Sequence, residues 1–162
     1  MAYQDIAIAI LFLIFVLLIL WLFRKKPPLK YKRVNNIFTA SEKRFYRVLQ
    51  EVVEDRYLIF AKVRVADVLL PVSAKDRSRW RSAFNKVACK HFDYVLCDHE
   101  LRILAAIELD DASHNRKDRQ ERDIFLEWAC KSAGFPLIRV KTAKHYDKEA
   151  LRKTLKNIKK SL

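Results

Sequence analysis

Glycine is nearly absent from this chain: there is one in 162 residues, alongside four prolines and one methionine. Collagen-like, Gly/Ser-linker and disordered architectures are thereby excluded, the last also by an aromatic content of 12%. Cysteine is scarce and poorly arranged for cross-linking. Cys89, Cys97 and Cys130 are odd in number, lie 8 and 33 residues apart and form no C-x-x-C pair, which argues against a disulfide scaffold or a zinc finger and leaves buried or free thiols. Acid is short as well: 19 Asp+Glu face 33 Lys+Arg, a formal charge of +14. Yet 51% of the residues are apolar. No internal repeat is present, so charge and apolarity belong to two different materials in one chain.

The apolar material is concentrated at the start. Ile6 to Phe23, IAIAILFLIFVLLILWLF, is an unbroken run of 18 residues. As a helix it spans roughly 27 Å, close to the hydrocarbon thickness of a bilayer. RKKPPLKYKR follows directly and contains no acid, whereas MAYQD precedes. A secretory signal has the reverse polarity, a shorter core and a small-residue cleavage site, whereas this run ends in Trp21, Leu22 and Phe23. The expectation is a transmembrane anchor over 1–23, with Trp21 at the interface and the basic flank holding the C-terminal side in the cytoplasm. Pro27 and Pro28 stop the helix, and 24–37 reads as a basic linker suited to anionic lipid headgroups. Without residues 1–23, 33 basic residues remain against 18 acidic ones.

Residues 38–162 read as one cytoplasmic domain. Thr39-Ala-Ser-Glu42 has capping-box spacing, and Phe45, Val48, Leu49, Val52 and Val53 recur on one helical face, which predicts a helix over Ser41–Asp55. Tyr57–Val63 is β-rich, with Val65–Leu70 as a continuation. Asp76–Lys90 reads as a helix around Trp80, Phe84 and Val87, and these two aromatics, with Trp128, are expected in the core. Phe92–Cys97 and Ile103–Leu109, joined through Asp98-His99-Glu100, form a hairpin. A helix over Lys117–Ala133 stops at Gly134, a strand covers Pro136–Lys141, and a basic amphipathic helix covers Asp147–Leu162 with Leu151, Leu155, Ile158 and Leu162 as its packing stripe. The order α-β-α-β-β-α-β-α describes an α/β sandwich built on one mixed sheet.

The segment HFDYVLCDHELRILAAIELDDASHNRKDRQERD carries the candidate chemistry. Strand alternation places Glu108 and Asp110 on one face, and hairpin pairing brings Asp93 to the same end of the sheet. Three carboxylates gathered there repel one another unless a cation lies between them, and hard oxygen ligands suit Mg²⁺ or Mn²⁺. The same acids also read as ordinary solvated strand ends.

D-Y-V-L, a short turn, I-E-L-D-D-x-S-H and R-x-x-R-D, with T-A-S-E-K-R-F-Y, F-A-K-V-R-V-A-D-V and G-F-P-L-I-R-V, occur in this order over residues 38–141. Together they resemble a bacterial domain of unknown function assigned to the restriction-endonuclease-like PD-(D/E)XK nuclease superfamily, similar to the very-short-patch-repair endonucleases. The resemblance implies a mixed sheet flanked by helices, a metal-dependent phosphodiesterase site using Mg²⁺ or Mn²⁺, and nucleic acid as partner. Asp93 and Glu108 match the two metal-binding acids. Asp110 stands where the motif has its lysine, an E-x-D variant, and is read as a further ligand or a water-orienting group. Lys62 or His114 is then needed to assist proton transfer and charge stabilisation. Glu42 matches a position where such folds place an extra acid, and equally matches the capping partner of Thr39. Lys62 reads equally as a solvated strand lysine and His114 as a loop residue.

The basic surplus supplies candidate nucleic-acid contacts: Arg77, Arg79, Arg81, Lys86 and Lys90 in one segment, then Arg119 and Arg122. The last two also read as partners of Asp118 and Asp123 on a solvated helix face. The chain is thus expected to be a single-pass protein of the bacterial inner membrane with a cytoplasmic nuclease-like domain. The competing reading is a catalytically inactive nuclease fold that tethers nucleic acid or a protein to the membrane.

Overall fold

The computed structural model describes residues 2–24, 28–72, 75–110, 117–156 and 158; for 2, 117–120 and 122 it describes the backbone. The chain divides into two compact units, 1–35 and 36–162. The first contains helix α1, Ala2–Leu22. Its stretch Tyr3–Leu22 has mean hydropathy 3.0 and none of it is buried, so it is long and apolar enough to cross a membrane.

The second unit is a mixed α/β domain. Its elements are α2 (Ala40–Val53), β1 (Leu58–Arg64), α3 (Arg77–Ala88), β2 (His91–Cys97), β3 (Ile103–Asp110), α4 (Lys117–Ser132), β4 (Leu137–Lys141) and α5 (Lys148–Lys156). The four strands make one sheet in the order β1-β2-β3-β4. β1, β2 and β3 form an antiparallel meander, with Tyr94 opposite Ala61 on one side and Ile107 on the other. β4 runs parallel to β3, pairing Glu108 with Arg139, because α4 carries the chain back along the sheet before the next strand begins.

Two apolar layers follow from strand alternation. On one face α2 contributes Phe45, Leu49, Val52 and Val53, and α5 contributes Leu151 and Leu155, packed with Tyr94, Leu96 and Ile107. On the other, Val87 from α3 and Leu126 and Cys130 from α4 pack on Phe92, Val95 and Ala106. The sheet is therefore covered on both sides, and its central strands are apolar on both faces. Ile158 continues the α5 stripe and is buried, while Leu162 lies outside the described residues.

Two expectations are corrected. Val65–Asp67 turns into a short 3-10 helix instead of prolonging β1. The Val65 carbonyl accepts from the N–H groups of Val68 and Leu69, and Arg64 pairs with Asp67 across the turn. Trp128 is 63% exposed, because the buried stripe of α4 runs through Leu126 and Cys130 and leaves Trp128 on the opposite face of the helix. Trp80 and Phe84 stack at 5.2 Å, both partly buried, with the indole N–H donating to the Pro71 carbonyl.

α4 ends in a Schellman motif: the Gly134 N–H donates to the Lys131 carbonyl and the Phe135 N–H to the Cys130 carbonyl. Gly134 has φ +63°, and a Cβ there would meet nothing within 4 Å. Its substitution cost is then purely conformational. Gly134→Ala is expected to lower unfolding free energy by about 1–2 kcal/mol, measured by urea denaturation of the chain in detergent. An unchanged midpoint would show that the helix does not end this way.

Candidate functional site

The site begins with the start of α2. Thr39 caps the helix: its Oγ1 accepts from the Glu42 N–H at 3.3 Å, and Glu42 Oε2 accepts from the Thr39 N–H at 2.7 Å. The capping box holds the Glu42 side chain against the helix end, which leaves Oε1 turned to the sheet. There it meets Lys62 Nζ at 2.5 Å. The same ammonium donates to Asp93 Oδ1 at 2.9 Å, so one lysine on β1 joins a helix acid to a strand acid. Of the two roles considered for Glu42 the cap is filled, and its other oxygen pairs with Lys62. The Tyr94 hydroxyl donates to the Glu42 carbonyl at 2.7 Å and seats this turn of α2 on the sheet.

Lys62 lies at a break in the ladder. Ala61 pairs with Tyr94 and Val63 with Phe92, while Lys62 and Asp93, directly opposite each other, are skipped. Lys62 has φ +55°, a left-handed conformation that costs a non-glycine residue about 1–2 kcal/mol. Its effect is visible on both strands. Ile59, Ala61, Tyr94 and Leu96 belong to the layer under α2 and α5, whereas Val63, Val65 and Phe92 belong to the layer under α3 and α4. Both strands change faces at this position.

The β2–β3 ladder ends close by, at Tyr94 opposite Ile107. Asp93 and Glu108 are the next residues on the two strands. Asp93 Oδ2 accepts from the Leu109 N–H at 3.0 Å, so the carboxylate itself links the strands where backbone pairing has stopped. Glu108 is half-buried on β3 and makes contacts of its own. The Cys130 thiol on α4 is pushed up to about 11, by burial first and then by the Glu108 charge.

Asp110 goes elsewhere. Arg139 on β4 donates to its Oδ1 at 2.7 Å and to the Asp123 carbonyl on α4 at 3.3 Å. The carboxylates are thus held by a lysine on one side and an arginine on the other, an arrangement unlike the three acids around one cation anticipated from spacing. Among the described residues no group of three His, Cys, Asp or Glu side chains is gathered as metal ligands would be. Arg139 was not singled out from the sequence, although a charged residue in the middle of the apolar strand LIRV was the signal for it.

The remaining candidates are placed as follows. Arg77, Arg79, Arg81 and Lys86 are exposed on α3, and Lys90 follows it, partly buried. Arg119 and Arg122 lie on α4 with their side chains outside the described residues, and His114 lies outside them altogether. Cys89 is exposed, while Cys97 and Cys130 are buried free thiols.

Charge states follow from these contacts. Burial alone would raise the Glu42 carboxyl, but the hydrogen bonds from Lys62 and Thr39 outweigh it and bring the group below its ordinary 4.5. Burial alone would lower Lys62, but its two carboxylate partners outweigh it and lift the group above its ordinary 10.5. A depressed carboxyl stabilises the fold above about 4.5 and loses that contribution as pH falls through its lowered value. A raised ammonium contributes below about 10.5 and loses it as pH rises through its raised value. Lys62→Met is therefore expected to cost about 1–2 kcal/mol at neutral pH, between the values typical of exposed and of buried pairs. The difference from wild type should shrink at both acid and alkaline extremes of a urea-denaturation series. A difference independent of pH would assign the lysine's contribution to packing.

No curated protein and no solved structure matches the chain. One family does: residues 34–158 match the sequence profile of DUF2726, described as a protein of unknown function. The matched span takes in the whole of α2 to α5, with Glu42, Lys62, Asp93, Glu108 and Arg139 inside it, and on that coverage the chain belongs to the DUF2726 family.

Proposed function

We propose that this chain is a membrane-anchored, cytoplasm-facing phosphodiesterase acting on nucleic acid, with a restriction-endonuclease-like domain. The observation that carries the reading is the Lys62 ammonium held 2.9 Å from Asp93 where β2 and β3 part, with Glu108 next in line on β3. A mixed sheet covered by helices on both faces supports the fold assignment, and α1 supports the anchor in the bacterial inner membrane.

The donor set suits a hard divalent cation. Asp93 and Glu108 offer carboxylate oxygens on neighbouring strands, and Mg²⁺ is commonly held by one or two carboxylates with water and substrate phosphate completing its shell. When bound, such a cation supplies water activation and charge neutralisation at the scissile phosphate. Lys62 does the work of the lysine missing from the E-x-D sequence. Its ammonium stays charged at neutral pH, so it stabilises negative charge building on phosphate oxygens and does not serve as a base. Glu42 positions that ammonium, with one oxygen on Lys62 and the other on the Thr39 N–H. Arg139 keeps Asp110 in place and neutral as a pair.

The full chain in detergent should cleave labelled DNA or RNA only with Mg²⁺ or Mn²⁺. Asp93→Ala and Glu108→Ala should each reduce the rate about a hundredfold or more, because the cation's several kcal/mol are lost with its ligands. The second reading, an inactive module that tethers nucleic acid, is favoured by the charge balance that Lys62 and Arg139 achieve with protein groups alone. Salt-sensitive binding with no cleavage under either metal would establish that reading and overturn the first.

Anchoring has its own test. The chain should remain in the membrane pellet after alkaline carbonate and leave it only with detergent, and removal of residues 1–23 should abolish that retention. Release by carbonate alone would exclude a spanning helix.

A further inference from the structure

The exposed side of α4 carries two large apolar side chains next to a pair of lysines. Ile124 and Trp128, one turn apart, are 68% and 63% exposed. The Trp128 ring lies 6.0 Å from Phe125, and above Phe125 stand two ammonium groups, Lys86 at 5.6 Å and Lys90 at 5.3 Å. Lys90 also donates to the Lys86 carbonyl, which holds it there. Among the described residues the ion pairs include neither lysine. Two cations gathered over one ring repel each other, and an anion received between them relieves the repulsion.

This patch borders the carboxylate site along two lines of chain. Lys90 precedes Asp93 by three residues, within roughly 10 Å of extended chain. Ile124 follows Asp123, whose carbonyl is bound by the same Arg139 that holds Asp110.

We infer that Trp128, Phe125, Lys86 and Lys90 form a binding platform for an unpaired nucleic-acid strand, with phosphate between the lysines and a base stacked on the Trp128 indole. The inference rests on the nucleic-acid reading above and adds a substrate class to it, single strand over duplex. The reason is steric. In a duplex the faces of the bases are already stacked and an exposed indole has no partner, whereas an unpaired strand offers a π-face beside every phosphate.

The test uses the full chain in neutral detergent, with labelled oligothymidine and a duplex of equal length as probes. Oligothymidine should bind more tightly. Trp128→Ala should weaken it about tenfold with duplex binding unchanged, and Trp128→Phe should restore most of the loss. The double variant Lys86→Ala/Lys90→Ala should reduce the slope of log affinity against log salt by about 0.7, one neutralised phosphate on a single strand. Equal affinity for duplex, or no loss in Trp128→Ala, would overturn the platform. So would protection of Lys86 and Lys90 from acetylation by anionic nanodiscs but not by oligothymidine, which would assign the patch to lipid. Asp93→Asn separates the two readings: strand binding that persists where neither wild type nor variant cleaves leaves the platform standing and removes the enzyme. Cleavage by wild type that is indifferent to Trp128→Ala removes the platform alone.

Discussion

A single ammonium group is shared between two carboxylates that come from different layers of the domain, and much of the local structure follows from that sharing. Lys62 on β1 reaches Glu42 at the start of α2 and Asp93 on β2, and Asp93 in turn holds the Leu109 N–H of β3. Four elements meet through one charge. Without it, two partly buried acids would stand close together with no cation between them. Lys62 holds the same Glu42 side chain whose other oxygen completes the capping box, so the lysine also conditions how well α2 begins.

Charge in the domain is sorted as well as balanced. Acids near the end of the sheet have protein cations as partners: Lys62 for Glu42 and Asp93, Arg139 for Asp110. The cations of α3 and of the chain just after it stand over aromatic rings or face solvent. Among the described residues the α3 cations enter no ion pair, whereas Glu42, Asp93 and Asp110 are already screened. That order is what an acidic site needs if its substrate is itself acidic.

Much of this architecture was legible in the residues. The capping box, the hairpin, the Gly134 stop and the α5 stripe each rest on local chemistry, and each was visible because one or two residue types dictate one backbone outcome. The two failures were of another kind. Val65–Asp67 has strand composition, and only the Arg64–Asp67 pair with the turn hydrogen bonds bends it away. Trp128 was expected inside because aromatic residues favour burial, yet the helix is rotated by Leu126 and Cys130, and rotation is decided by the whole stripe. At the site, Asp93 and Glu108 were accessible through motif and spacing. The engagement of Asp110 by Arg139 was not, since it depends on a parallel strand 29 residues later.

Nothing in the sequence marks Lys62 as a left-handed residue; glycine or asparagine would have signalled it, and a lysine does not. That conformation sets a selection problem. Any screen that rewards thermal robustness alone would favour glycine at this position wherever the relief of backbone strain exceeds the loss of the ion pairs. The replacement would remove the cation that joins Glu42 to Asp93. A lysine kept at residue 62 against that pressure would be kept for its ion pairs and not for its backbone.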